Sequence, residues 1–457
     1  MGFTDKQLDM FIQLLDRGGY APISRIIEGK TLGPFQEIAI VRHLLTNRNL
    51  ISLDTGMGKT LTAIGNLNLT LKKGKKFIFA SSKSVILNMV SYFNTMTRYK
   101  VLVVTGSEES EAKFININLD NYDGLLMSLE SFTSKEINKV IYERTLTKEI
   151  THVILDESHK VTYEDAYFFR LMRAICRHID NVLFLTATPL RVDLKQFIGQ
   201  LNILDEEIFY NIRTIYNKFA TYDSNGFVTG FKDYELFEEM CAHVYFSYTR
   251  SDAGIAGDYN CFPIKADLND YQLTVMNNNK LTKSKKRILI KSCQSQTFEE
   301  MKKYLRQQKK LGNKGLIYAN IREIKDFLYK ELSKEFSTKI LDGRVKSDIE
   351  RKEIEKDFND NKYDFLIINL TESLNLQCQY ILFWELTSDF CQMIGRGERG
   401  LKGNDLDIGF CITNSTLEKN FFEEHVRNNC QLLEKFAGKD LTAIKVMRID
   451  WQLGRKA

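Results

Sequence analysis

Short apolar runs alternate with amphipathic stretches over most of residues 49–204. Six of the runs are rich in Val, Ile, Leu and Phe and lack polar alternation, at 49–53, 75–80, 100–105, 123–128, 151–156 and 181–186. Strands that are buried on both faces of a parallel sheet have this composition. Apolar residues at helical spacing fill the gaps between the runs, which predicts a doubly wound α/β domain with a parallel sheet.

The alternation lapses between residues 205 and 260, a region rich in Tyr, Phe and charged residues, and then resumes. Five further apolar runs are predicted as strands, at 314–319, 338–343, 363–369, 379–384 and 407–412. Residues 415–457 have a helical pattern with an apolar packing face. The fold class predicted is therefore α/β, with two doubly wound parallel-sheet lobes in tandem and a mixed helical connection.

Composition sets limits on this interpretation. A chain of 457 residues is expected to form two or three domains. No apolar run approaches the roughly 18 residues of a membrane span, and charges interrupt any secretory core near the N-terminus. We therefore expect a cytoplasmic or nuclear protein that is neither secreted nor membrane-bound. The eight cysteines lie singly, which favours reduced thiols, although a zinc site built from distant cysteines remains an alternative.

The segment LDTGMGKT (53–60) follows a predicted strand and opens a predicted helix, which is the context of a phosphate-binding loop. Gly56 and Gly58 would let backbone N–H groups approach phosphate oxygens. Lys59 would reach the β- and γ-phosphates of a nucleotide, and the Thr60 hydroxyl would hold Mg²⁺. The strict P-loop pattern fails at its first glycine, where Leu53 stands, so a chance match is the alternative.

Two further motifs follow predicted strands in the same lobe. In ILDESH (154–159), Asp156 would hold the Mg²⁺ shell, and Glu157 would orient and deprotonate the attacking water. In LTATPL (185–190), the hydroxyls of Thr186 and Thr188 could link the carboxylate pair to the other lobe. Each motif alone would fit a capped turn, but their order after GKT favours nucleotide chemistry.

The ordered set GKT, DESH and TAT resembles the motifs of superfamily 2 helicases, in which Ala commonly stands at the place of Leu53. The resemblance implies two RecA-like lobes that close on ATP with Mg²⁺. LGPFQ (32–36) resembles the adenine-reading segment of the family, so Gln36 is expected to hydrogen-bond the base. The nucleotide-binding residues implied are Gln36, Thr55, Gly56, Met57, Gly58, Lys59 and Thr60.

QMIGRGER (392–399) resembles the last motif of the family, Q-x-x-G-R-x-x-R. The resemblance implies that Arg396 and Arg399 neutralise charge that develops on the γ-phosphate, with Gln392 as a further member of the catalytic set. An arginine pair taken alone would more commonly form a surface salt bridge. Its position after five predicted strands of a second lobe favours the catalytic role.

Several segments are similar to those of Swi/Snf-type translocases, namely 187–204, 245–255, 268–276 and 341–358. Segments 80–88 and 126–132 are similar to DNA-contacting turns of the family. The chain departs from the pattern at NLTESLNLQ (369–377), where the expected glycines are missing, so the residues that couple DNA contact to ATP there are left open. The large insertions of eukaryotic remodellers are absent, which favours a compact viral, phage or bacterial form.

The predicted boundaries are an N-terminal helical segment (1–30), an ATP-binding lobe (31–205), a connection (206–265), a second lobe (266–415) and a C-terminal helical extension (416–457). Residues 280–314 hold twelve Lys or Arg and two acids, whereas the whole chain carries a net charge of only +5. This basic segment predicts sequence-independent phosphate contact, with a solvated helix face as the alternative.

These features predict an ATP-dependent DNA helicase or translocase, acting as a monomer in replication, recombination or repair. An RNA motor is the enzymatic alternative, since contact with a 2′-OH leaves no signature in composition. A DNA-binding scaffold with a nucleotide-switched, non-hydrolysing core is the alternative outside enzymes. A small-molecule P-loop kinase fits less well, because it leaves the second lobe and its arginine motif unexplained.

Overall fold

The computed structural model describes residues 27, 29–161, 166–190, 194–224, 226, 228–254, 259–345, 347–369, 376–387, 390–397 and 406–427, with scattered positions between 430 and 451. The chain divides into two compact units: the first comprises Met1–Ala253 and Lys435–Gly438, and the second comprises Gly254–Glu434 and Lys439–Ala457. Most of the predicted N-terminal helical segment, and most of the C-terminal extension beyond residue 427, lie outside the described residues.

Seven parallel strands form the sheet of the first unit. They are β1 (Arg48–Leu53), β2 (Lys76–Ser81), β3 (Val101–Val104), β4 (Gly124–Ser128), β5 (Ile150–Asp156), β6 (Asn181–Thr186) and, after a short antiparallel hairpin of β7 (Ala220–Tyr222) and β8 (Val228–Phe231), β9 (Tyr245–Tyr248). The strand order is β3-β4-β2-β5-β6-β1-β9. All six strands predicted from the apolar runs of this unit are therefore confirmed.

Helices connect the strands of the first unit. They are α1 (Pro34–Thr46), α2 (Lys59–Thr70), α3 (Lys83–Met96), α4 (Glu108–Asn116), α5 (Lys135–Leu146), α6 (Tyr167–Cys176), α7 (Leu194–Leu204), α8 (Ile212–Phe219) and α9 (Tyr234–Cys241). Every residue of β2, β4 and β6 is buried, as expected for strands covered on both faces.

The second unit contains six parallel strands in the order β10-β15-β14-β11-β13-β12. They are β10 (Tyr259–Ala266), β11 (Gly315–Tyr318), β12 (Thr338–Leu341), β13 (Phe365–Ile368), β14 (Tyr380–Phe383) and β15 (Leu406–Thr413). The described helices are α10 (Asp270–Asn277), α11 (Lys283–Lys291), α12 (Gln296–Lys310), α13 (Arg322–Leu332), α14 (Asp348–Asn359), α15 (Phe390–Gly397) and α16 (Thr416–Phe421). The fold class of two tandem parallel-sheet lobes is confirmed.

The sheets differ from the sequence prediction at one place, the range 206–265. Strand β9 extends the first sheet and strand β10 extends the second, whereas the sequence predicted only a mixed helical connection there. Both are edge strands whose residues are mostly half-buried, and β10 contains Pro263. The sequences of β9 (YFSY) and β10 (YNCFPIKA) lack the continuous apolar run on which the prediction relied, whereas the edge strand β3 (VLVV) carries one and was predicted. Pro is tolerated at an edge position.

The strand order of the first sheet brings its three candidate motifs to one edge. Strands β2, β5, β6 and β1 are consecutive neighbours, and all are parallel, so their carboxyl ends meet at one edge. The phosphate-loop segment, the DESH segment and the TAT segment each follow one of these strands. Among the described residues, none of the helices has the length and apolar character needed to cross a bilayer.

Candidate nucleotide site and basic segment

The segment after β1 folds as a tight loop that leads into α2. Gly56 and Gly58 have φ values of +85° and +77°, a backbone conformation that glycine adopts without a steric penalty. No side chain caps the N-terminus of α2, so its first backbone N–H groups are available to an anion. Leu53 is fully buried as the last residue of β1, which explains the missing glycine: this position belongs to the strand core rather than to the loop.

Lys59 is the first residue of α2, and its side chain turns back over the loop. Its Nζ donates a hydrogen bond to the Leu53 carbonyl oxygen at 3.1 Å. The ammonium group is thus held at the mouth of the loop, where a bound phosphate would replace a carbonyl as its acceptor.

Gln36 connects α1 to the same loop. Its Nε2 donates to the carbonyl oxygens of Met57 at 3.1 Å and Gly58 at 3.4 Å, and its Oε1 accepts from the Gly33 N–H at 2.8 Å. A Cβ atom at Gly58 would lie only 2.2 Å from Gln36 Nε2, so a larger residue would have to displace the Gln36 amide as well as adopt a positive φ. The structure therefore places Gln36 against the phosphate loop; whether it also reads the base stays a prediction.

Asp156 ends β5 and is almost fully buried. Its Oδ2 accepts a hydrogen bond from Ser81 Oγ, at the end of the neighbouring β2, at 3.1 Å. Burial and the adjacent charge of Glu157 raise the pKa of Asp156 to about 7, against the opposing effect of Lys59. Its Oδ1 is buried and has no hydrogen-bond partner among the described residues, so one carboxylate oxygen is available to a cation.

Glu157 has a left-handed backbone with φ of 54° and ψ of 46°. For a residue with a Cβ, such a conformation costs about 1–3 kcal/mol, and it clusters at functional sites. This strained turn follows directly on the buried Asp156, so the two carboxylates lie at the same end of β5.

The DESH and TAT segments are joined directly by a side-chain contact. His159 Nδ1 lies 3.1 Å from Thr186 Oγ1 and 3.3 Å from Glu157 Oε2. Thr186 Oγ1 also accepts the N–H of Thr188 at 3.0 Å. The threonine hydroxyl thus connects the carboxylate turn to the TAT segment inside the first unit, which the sequence alone had not indicated.

A second bridge between the two segments runs through Gln200 on α7. Ser158 Oγ donates to Gln200 Oε1 at 2.8 Å, and Gln200 Nε2 donates to the Pro189 carbonyl oxygen at 2.8 Å. Both Ser158 and Gln200 are fully buried. Sequence reasoning missed Gln200, whose only signal was an amide within the apolar pattern of 194–204.

We expect Gln200→Leu to lower the kcat for ATP by about tenfold with little change in KM. The substitution leaves the Pro189 carbonyl and the Ser158 hydroxyl unpaired in the core, a cost of about 1–3 kcal/mol that falls on the strained turn carrying Glu157. Steady-state kinetics together with thermal unfolding measures both effects.

Asn202→Leu is the matched control, because Asn202 is buried on the same helix and donates to the Phe209 carbonyl oxygen at 2.6 Å, apart from both motifs. It should lower the unfolding temperature similarly while kcat stays near that of the parent protein. Equal losses of kcat in the two variants would show that Gln200 matters only for stability.

The three residues expected from the last motif cannot be compared with this geometry. Gln392 and Arg396 lie on α15, but their side chains are outside the described residues, and Arg399 is outside them entirely. The same is true of most of the glycine-poor loop, residues 370–375.

The basic segment 280–314 is only partly available to a ligand. Lys291 is buried and pairs with Glu418, with 2.7 Å between Nζ and Oε1. Lys314, also buried, donates to the last carbonyls of α14. Arg306 binds Glu335 with both arms of its guanidinium group, and Lys309 pairs with Asp364 at 2.8 Å. Three cations of the segment are therefore paired with acids from distant parts of the second unit, and Lys314 is bound to backbone carbonyls.

Both domains of the chain match known families. Residues 33–197 match the DEAD/DEAH box helicase family, and residues 296–400 match the helicase conserved C-terminal domain. The first range contains the phosphate loop, Asp156, Glu157 and Thr186; the second contains α15 and most of the second sheet.

Curated relatives are similar over part of their length. The chain is 25% identical to nucleoside triphosphatase I of Amsacta moorei entomopoxvirus over 200 residues, which are 43% of this chain and 28% of that protein. It is 25% identical to the lymphoid-specific helicase of Homo sapiens over 171 residues, 36% of this chain and 20% of that protein. The matches thus span less than a third of either relative.

A solved structure shares the fold. The Pyrococcus furiosus Hef helicase domain superposes with a TM-score of 0.51 at 14% identity, covering 86% of this chain and 98% of that chain. The paired domains, with the site at the edge of the first sheet, define the class: the chain is a superfamily 2 helicase with two RecA-like lobes. Its two domains are those of ATP-hydrolysing helicases, and its relatives include viral nucleoside triphosphatases.

Proposed function

We propose that this protein hydrolyses ATP to move along nucleic acid, with DNA as the track. The observation that carries the proposal is the meeting of three segments at one edge of the first sheet. The anion-accepting loop with Lys59 follows β1, the buried carboxylate of Asp156 and the strained Glu157 lie at the end of β5, and Thr186 ends β6, which lies between those two strands. This arrangement suits the transfer of a phosphoryl group to water.

Each residue has a distinct role in the proposal. Residues 55–58 and the N-terminus of α2 bind the β- and γ-phosphates through backbone N–H groups, and Lys59 neutralises their charge. Glu157 orients the attacking water and accepts its proton. Arg396 and Arg399 stabilise the charge that develops on the γ-phosphate, with Gln392 in the same motif.

The residues present fit a magnesium ion. Mg²⁺ in phosphoryl-transfer sites is usually held by one or two protein oxygens together with substrate phosphates. The buried Oδ1 of Asp156 and the hydroxyl of Thr60 offer such a pair. No cluster of three or more His, Cys, Asp or Glu side chains suited to a metal is present in the described part of the chain, and this site does not need one. When bound, the ion would draw charge from the β- and γ-phosphate oxygens.

The choice of DNA rests on the Swi/Snf-type segments of the sequence, and translocation without strand separation fits them equally well. The described turns at the carboxyl ends of β2 and β4 correspond to the two segments similar to DNA-contacting turns. We propose a monomer that binds without sequence preference, since phosphate contacts carry no base information.

The test is steady-state ATP hydrolysis by the purified protein, alone and with duplex DNA, single-stranded DNA or RNA. We expect duplex DNA to stimulate turnover most strongly. If RNA alone stimulates turnover, then RNA and not DNA is the track. Turnover that ignores all three polymers, or no turnover at all, would contradict the motor and favour a nucleotide-switched scaffold.

A further inference from the structure

The second unit contains a cavity of about 450 Å³ that the nucleotide site does not use. Its walls come from α11, from Leu386 shortly after β14, and from residues 415–421 around α16. Strands β14 and β15 are parallel, so the cavity opens at the carboxyl edge of the second sheet. This edge is where open α/β sheets usually bind ligands, and the volume is in the range of small-ligand sites.

One face of α11 gives the cavity its positive charge. Lys283, Arg287 and Lys291 recur at every fourth residue, so they lie on the same side of the helix. The innermost of the three, Lys291, is neutralised by Glu418, which is the one acid among the described residues of the cavity wall. Arg287 is paired in turn with Glu385, which does not line the cavity, at 4.0 Å. The exposed Lys283 therefore leaves the described part of the cavity with a net positive charge, which favours an anion.

The Arg287 guanidinium is held in place by the protein but keeps donors for a ligand. Its Nη2 donates to the Leu386 carbonyl oxygen at 2.6 Å, and the group lies 4.8 Å from the centre of the Phe421 ring. Its Nε is 4.0 Å from Glu385, whose other oxygen accepts the N–H groups of Asn320 and Ile321. No described residue accepts a hydrogen bond from Nη1 of Arg287.

Lys283 has no ion pair or hydrogen bond with another described residue, and it is exposed at the rim of the cavity. The rest of the wall is mixed. Ser284, Thr416 and Asn420 supply hydroxyl and amide groups, while Leu386 and Leu417 supply an apolar surface. Two cations beside hydrogen-bonding groups and an apolar wall suit a phosphate ester that carries a sugar and a base.

We propose that this cavity receives one nucleotide of the bound strand, with its phosphate between Lys283 and Arg287 and its sugar or base against Leu386 and Leu417. The inference rests on the proposed movement along nucleic acid, and it assigns the second unit a direct contact with the bound strand. Glu385 connects the same arginine to the turn between β11 and α13. A ligand that displaces Arg287 would therefore also alter the contacts of that turn.

The test compares two charge reversals on one helix. Lys283→Glu alters the cavity, whereas Lys285→Glu changes the same charge at an exposed position of α11 that does not line it. For a labelled single-stranded oligonucleotide, we expect the Kd of Lys283→Glu to rise about tenfold more than that of Lys285→Glu. The slope of log Kd against log salt should fall by about 0.7 only in Lys283→Glu, as one phosphate contact is lost.

Photocrosslinking locates the contact independently. An oligonucleotide containing 4-thiothymidine should crosslink to peptides that contain residues 283–291 or 415–421, and an excess of unlabelled oligonucleotide should abolish the crosslink. Equal Kd values for the two variants, or crosslinks only elsewhere in a protein that binds the oligonucleotide, would overturn the cavity assignment alone.

Two further outcomes are distinguishable from these: one identifies the source of the phosphate, and the other tests the proposed function itself. A crosslink to free 4-thio-dTMP without one to the strand would assign the cavity to a soluble nucleotide and overturn its place on the track. A protein that binds no polymer and whose ATP turnover no polymer stimulates would contradict the motor, and the cavity contact with it.

Discussion

Replacing Glu157 with Gln is expected to lower kcat for ATP by at least about 100-fold while nucleotide binding persists. The amide keeps the size and the left-handed turn of the native residue, but it cannot accept a proton from the attacking water. General-base catalysis typically contributes about 10²–10⁴-fold to a rate. Steady-state turnover and the Kd for a fluorescent ATP analogue measure the two quantities separately.

The matched control is Glu143→Gln, which removes the same charge at an exposed position of α5. It should leave kcat and nucleotide affinity unchanged. If Glu157→Gln keeps the parent turnover, Glu157 does not activate water and the site assignment fails. If it loses nucleotide affinity instead, its role is in binding ATP rather than in the chemical step.

The second large effect is expected for Lys59→Ala, which should reduce kcat/KM for ATP by about 10²–10³-fold. Removing one preorganised donor from developing charge has a cost of this order. The Lys59 ammonium lies at the mouth of the phosphate loop, bound to a backbone carbonyl that a phosphate oxygen can replace. Binding of nucleic acid should survive, because Lys59 belongs to the nucleotide site.

Two comparisons separate the geometry of this contact from its charge. Lys73→Ala removes an exposed positive charge in the turn after α2 and should leave kcat/KM unchanged. Lys59→Arg keeps the charge but replaces a compact ammonium with a planar fork, so it should recover little activity. Full turnover in Lys59→Ala would overturn the phosphate-loop assignment.

The sequence was sufficient where chemistry is tied to a local pattern. A buried strand followed by a glycine turn and a helix places Gly56, Gly58 and Lys59 without help from the rest of the chain. The same holds for Asp156 at the end of β5, because a parallel strand that ends in a carboxylate must present it at the functional edge.

The sequence misled where polar residues interrupt a strand or where partners are distant. Strands β9 and β10 escaped prediction because polar residues, and in β10 a proline, interrupt their apolar positions, whereas the edge strand β3 is the continuous apolar run VLVV. The basic segment also carries less unpaired charge than its residue count suggested. A count of residues cannot show that Glu335, Asp364 and Glu418, from other elements, form ion pairs with it.

By itself, then, the sequence determined the α/β fold class of the two lobes, the glycine turn between β1 and α2 and the position of Asp156 at the end of β5, because each shows in a pattern of consecutive residues. Only the tertiary structure decided that Thr186 and Gln200 join the two motif segments, and that Lys283 and Arg287 face a cavity while Lys291 is neutralised. These contacts link residues that are tens to more than a hundred positions apart. The packing of α7 on the first unit and of α11 on the second sets them, and local pattern has no information about either.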